Sequence, residues 1–104
     1  MTKIKINPGI CGLESIIFVD ADENADVNIK IESQCPHIKN MEKEFKEING
    51  YEECFTKFDS SKIYKAASKY CRHIACPVPS GIIKGIEVAC GLALPKEVVM
   101  EIEK

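Results

Sequence analysis

The 104 residues, 45% of them hydrophobic and 29% charged, hold enough apolar material for one core and not for two. The 14 basic and 16 acidic side chains are interleaved and leave a net charge of −2, so no basic stripe is present to follow a nucleic-acid backbone. No apolar run is long enough to cross a bilayer, and the opening MTKIKINPGICG is too polar, and too soon broken by Pro8-Gly9, for a signal peptide. The chain therefore reads as a single globular domain, 1–104, in the cytoplasm. In that compartment six cysteines imply reduced thiols, metal ligands or redox groups rather than a disulfide framework.

Thr2 to Ile6 alternates, with Ile4 and Ile6 on one face and Lys3 and Lys5 on the other, which predicts a half-buried strand. Asn7-Pro8-Gly9 breaks it, and the β-branched run SIIFVD, Ser15 to Asp20, predicts a second strand. A third follows the acidic turn Ala21 to Ala25, with Val27, Ile29 and Ile31 facing inward. Short connections make the three an antiparallel meander.

The period then changes. Ile38, Met41, Phe45 and Ile48 share a helical face, Pro36 suits the first helical position, and Gly50 is expected to end this helix. Tyr51 to Phe58 is less regular, with room for one short turn. A second helix starts at Asp59 or Ser60 and runs through Ile63, Ala66, Ala67 and Tyr70. A third begins at the Cys76-Pro77 step and uses Ile82, Ile83, Ile86 and Ala89. Finally Val98, Met100 and Ile102 alternate with Glu97, Glu101 and Glu103. This predicts a C-terminal strand beside the first, its glutamates opposite Lys3 and Lys5. The expected fold is α+β: a small, mostly antiparallel sheet, a β-meander plus a C-terminal strand, with about three helices packed on one face.

That element order sorts the cysteines. If the first strand runs up, the loop with Cys11 lies at the top, and the third strand delivers Cys35 to the same end. With the following helices antiparallel, Cys71 returns there and Cys76 opens the last helix beside it. Cys11, Cys35, Cys71 and Cys76 thus converge, while Cys54 and Cys90 fall at the opposite end among apolar neighbours, as packing thiols. Cys35 and Cys76 each precede a proline-led helix start, where the dipole and free N–H groups favour thiolate. Four thiolates from four chain positions suit a tetrahedral zinc site, which would be closed and hence structural, or an iron–sulfur cluster. His37 and His73, each two residues from one of these cysteines, are expected as hydrogen-bonded histidines, with replacement of a thiolate or support of a ligand as the functional reading.

The motifs Pro8-Gly9-Ile10-Cys11, Gln34-Cys35, Cys71 and Ala75-Cys76-Pro77 stand in an order that resembles the TSCPD domain, a small stand-alone protein and a C-terminal module of some ribonucleotide reductases. The resemblance covers about residues 5 to 90 and implies a four-cysteine site of metal-binding character. Ile74-Ala75 stands where that family has Thr-Ser, and Val78 where it has Asp. A shorter stretch, Cys76-Pro77-Val78-Pro79, resembles the Cys-Pro-x-Pro of TusA-type sulfur carriers, which place it near the N-terminus; it implies a persulfide-carrying Cys76.

No serine–histidine–aspartate arrangement, phosphate loop or dinucleotide fingerprint is readable. The leading expectation is a cytoplasmic cysteine-cluster metal-binding domain, with zinc or an iron–sulfur cluster held by Cys11, Cys35, Cys71 and Cys76 and no turnover implied. The alternative is a thiol-redox or sulfur-carrier protein using Cys76, with Cys71 or Cys35 as resolving partner. The sequence leaves open a protein partner and the oligomeric state, and disfavours nucleic acid and membranes.

Overall fold

The alternation of the first 33 residues becomes three antiparallel strands in the computed structural model, which describes residues Met1–Lys104. They are β1 (Thr2–Ile6), β2 (Ser15–Ala21) and β3 (Asp26–Ser33), in the spatial order β1-β2-β3 with a fourth strand, β4 (Ile48–Asn49), beyond β3. The register sets Ile4 opposite Ile17 and Ile17 opposite Ile31, so one row of isoleucines crosses the sheet. Ile17, Val19, Ile29 and Ile31 are buried on that face, whereas Lys30 and Glu32 on the other are exposed. A period of two along each strand produces this division.

Four helices cover the apolar face: α1 (Pro36–Met41), α2 (Gly50–Phe55), α3 (Lys62–Tyr70) and α4 (Val78–Ala89). Ile38, Met41, Ile63, Val78, Ile82 and Ile86 complete the core with Phe45 and Ile48. Each fully buried isoleucine contributes on the order of 1.5–3 kcal/mol. Small residues let α4 approach the sheet: a Cβ at Gly85 would collide with the Ile4 side chain, and one at Gly81 with Ile6. Because Gly81 lies over Ile6 and Gly85 over Ile4, α4 runs antiparallel to β1. Gly91, at φ 73°, stops the helix, with Leu92 N–H bonded to Glu87 carbonyl at 2.8 Å and Gly91 N–H to Val88 carbonyl at 3.1 Å. That pair of bonds is a Schellman motif, for which a left-handed glycine is suited.

The α+β class, the meander and the one-sided helical layer are as expected; several details differ. The helix expected from Pro36 to Gly50 ends at Met41 in a 3₁₀ turn, Glu42–Glu44, after which Glu47 takes φ 55°. That backbone reversal turns Ile48 into β4, paired with Val27, so its burial comes from the sheet rather than from a helical face. Gly50 opens α2 instead of closing a helix, with the Asn49 side chain accepting Glu52 N–H at 3.1 Å as its cap. The cap of α3 is Ser61, whose hydroxyl accepts Tyr64 N–H at 3.0 Å, one or two residues beyond the expected caps.

The C-terminal strand is not formed. No helix or strand follows Ala89, and Val98, Val99, Met100 and Ile102 are exposed. Alternation fixes the two faces that such a strand would present, but a strand also needs a neighbouring backbone to bond, and past Gly91 the chain does not lie on β1.

The two sheet edges differ. Beyond β3, where β4 is only two residues long, side chains take over: Glu42 Oε1 accepts the Ile31 N–H at 2.6 Å and Lys39 Nζ donates to the Ile31 carbonyl at 2.6 Å. The other edge is β1, whose outer backbone groups bond to nothing.

Candidate functional site

The cysteine end is built on the ends of β3, α3 and α4. Cys35 is the extended residue that caps α1, followed by Pro36 in the first turn. Its N–H donates to Ser33 Oγ at 3.0 Å, and that hydroxyl lies 2.7 Å from Ser15 Oγ, in register on β2. Ser15 is 1% exposed and Ser33 half-buried, and the pair ties the Cys35 backbone to two strands. Nothing in the sequence singled out either serine as a support for Cys35.

Cys71 ends α3, its N–H bonded to the Ala67 carbonyl at 2.8 Å. Four residues later the Cys76 N–H closes a turn on the His73 carbonyl at 3.2 Å, and Pro77 then caps α4. The turn folds Cys76 back on Cys71. Burial first, then the charge and hydrogen bonding of Cys76, then the charge of Cys35, push the Cys71 thiol up to about 12. These three thiols therefore share one neighbourhood, half-buried against the core. A fourth sulfur joins them: Met41 Sδ lies 3.7 Å from Cys71 Sγ, with Met41 wholly buried. Helical periodicity marked Met41 as core, and no sequence signal pointed it toward a thiol.

Cys11 is at the same end but faces solvent. Its loop is bounded by Gly9 and Gly12, both left-handed at φ 94° and 69° and linked by a Gly12 N–H to Gly9 carbonyl bond of 3.0 Å. The loop is fastened beside Cys35 through Glu14 and Gln34, whose backbones and the Gln34 side chain exchange bonds of 3.1 and 3.2 Å. His73 is exposed and His37 half-buried. As the side chains stand, no three His, Cys, Asp or Glu groups are close enough together to hold a metal ion. The donor set is nonetheless soft throughout, thiols and a thioether, which fits zinc, copper(I) or an iron–sulfur cluster and not a hard cation. Closing around an ion would require the exposed Cys11 to turn inward.

Cys54 and Cys90 lie at the far end, by the β2–β3 turn. Cys90 Sγ is 4.0 Å from the Ala25 carbonyl and fills the space where a Cβ on Gly50 would stand. Burial, then the charges of Glu87, Cys90 and Glu53, push the Cys54 thiol up to about 11. Both are protonated packing groups at neutral pH.

No helix is long and apolar enough to cross a membrane. No curated protein and no solved structure matches this chain. Residues 2–102 match the profile of a family described as "Family of unknown function (DUF6951)". With nearly its whole length matched, the chain belongs to that family.

Proposed function

We propose that the domain is a metal-binding module, with Cys35, Cys71 and Cys76 as ligands and Cys11 closing the set from its glycine-bounded loop. The observation that carries this reading is the gathering of Cys71, Cys76 and Cys35 from three separate elements at one end of the fold. The charges of Cys76 and Cys35 oppose ionisation of Cys71, and a bound cation removes that conflict. Buried Ser15 and half-buried Ser33 support the reading by fixing the Cys35 backbone, as a preorganised ligand requires. A closed four-sulfur zinc site would be structural, and the same set could carry an iron–sulfur cluster. A reducing compartment such as the cytoplasm goes with either, because the thiols must stay reduced.

The test is metal and acid-labile sulfide analysis, with a visible spectrum, on protein purified without oxygen. One zinc per chain and no colour supports the structural site, and iron with sulfide supports a cluster. Cys35→Ser and Cys76→Ser should lose the metal and melt at lower temperature, while Cys90→Ser keeps it. Equal retention in all three variants sinks the reading.

A second reading has one observation of its own, the turn that closes Cys76 N–H on the His73 carbonyl at 3.2 Å and brings Cys76 back beside Cys71. It makes Cys76 a thiol-redox or sulfur-carrying group with Cys71 as its partner. Metal-free protein in which Cys76 alkylates much faster than the other cysteines would favour it.

A further inference from the structure

The fold closes one edge of its sheet and leaves the other open, and it leaves one strand-patterned segment without a partner. At the closed edge Glu42 and Lys39 satisfy both backbone groups of Ile31, as a neighbouring strand would. At the open edge no side chain or backbone group bonds to the outer face of β1. An unpaired edge with apolar residues is a template for another strand unless it is guarded. Here the guards are Lys3 and Lys5, which disfavour pairing of β1 with another β1, since like charges would then share one face.

The segment Glu97 to Glu103 has the complementary character. Val98, Met100 and Ile102 form one row, and Met100 and Ile102 are 75% and 89% exposed. Glu97, Val99, Glu101 and Glu103 form the other row, three of its four residues acidic. Laid along β1 with faces matched, the apolar row extends Ile4 and Ile6 across the side covered by α4. The acidic row comes beside Lys3 and Lys5 on the open side. The family match continues through residue 102 and so takes in all of this segment but Glu103.

We infer that the β1 edge is a docking site for the Glu97–Glu103 segment of a second copy of this chain, giving a two-fold dimer by reciprocal strand addition. Each copy offers one acceptor edge and one donor strand, so a symmetric pair satisfies both at once. The charge pattern selects the tail over β1 itself, and it makes the association sensitive to salt.

The experiment is sedimentation of the full chain over a concentration series reaching the millimolar range, paired with amide hydrogen exchange at high and low concentration. Dimers are expected, with β1 and tail amides protected only where the dimer forms. Removal of the residues after Pro95 should give a monomer. Lys3→Glu with Lys5→Glu should weaken the dimer by about tenfold or more. Adding Glu97→Lys, Glu101→Lys and Glu103→Lys in the same chain should restore it. A full chain that stays monomeric throughout overturns the inference. So does a dimer that survives removal of the tail, or β1 protection that is independent of concentration, which would place the tail on its own copy. The truncation leaves the core untouched, so it remains decisive if a lysine variant folds poorly.

Discussion

The carboxylate of Glu53 stands over the amino end of α3 and accepts the Ile63 backbone N–H at 2.9 Å. The same Oε1 accepts the Ser61 hydroxyl, and that hydroxyl in turn accepts the Tyr64 N–H. Glu53 is 6% exposed and Ser61 2%, so α2 supplies a buried acceptor that ends the free donors of another helix. No buried side-chain polar atom in the protein lacks a partner, and this group is one reason.

Replacing Glu53 with alanine strands the Ile63 N–H in the core. The expected loss is about 2 kcal/mol, the usual cost of an unsatisfied buried donor. Glu53→Gln keeps an acceptor and should lose less. Urea unfolding measures both, and equal losses would show that the acceptor is not what matters.

Gly85→Ala should destabilise the protein although alanine is favoured in a helix by about 1 kcal/mol. The added Cβ meets the Cδ1 and Cγ1 atoms of Ile4, and overpacking of this kind typically costs about 1–3 kcal/mol. Ile4→Val removes one of those atoms, so the double variant should be more stable than the sum of the single changes. An additive cycle would mean that α4 shifts freely over β1.

Stability should fall at alkaline pH through the thiol far from the cysteine end. Burial raises Cys54 from 9.0 to about 11, so the folded state holds this proton more tightly than the unfolded one. The stabilisation is complete below the unfolded value and is lost as pH rises through the folded one. Cys90, also raised by burial, acts in the same direction. In Cys54→Ala the melting temperature should fall less steeply with pH above 9.0. An unchanged slope would mean that the Cys54 thiol ionises alike in both states.

What the chain reveals on inspection depends on how local the cause is. The rows Ile17, Val19 and Ile29, Ile31 are legible because burial on one face imposes a period of two, and so is the helical face of α3. Ile48 is misleading because its spacing from Phe45 continues a helix, while the reversal occurs at Glu47, a residue type that gives no warning of φ 55°. Two residues of β4 are also too few for alternation to show. At the site, the meeting of Cys35, Cys71 and Cys76 follows from strand and helix directions alone. The approach of Met41 to Cys71 does not, since it depends on how α1 is set against α3. The outward position of Cys11 likewise follows from loop geometry that element order leaves free.

The six residues of α1 carry two duties at once. Cys35 caps its beginning, and the bonds that seal Ile31 come from Lys39 in its last turn and from Glu42 immediately beyond. One short helix thus links the cysteine end to the side chains that seal the Ile31 backbone. Ile31, whose backbone faces the outer side of β3, is thereby expected to report on the cysteine end. Any change in the setting of α1 is expected to appear as a changed rate of solvent exchange at the Ile31 amide, which Glu42 holds at 2.6 Å.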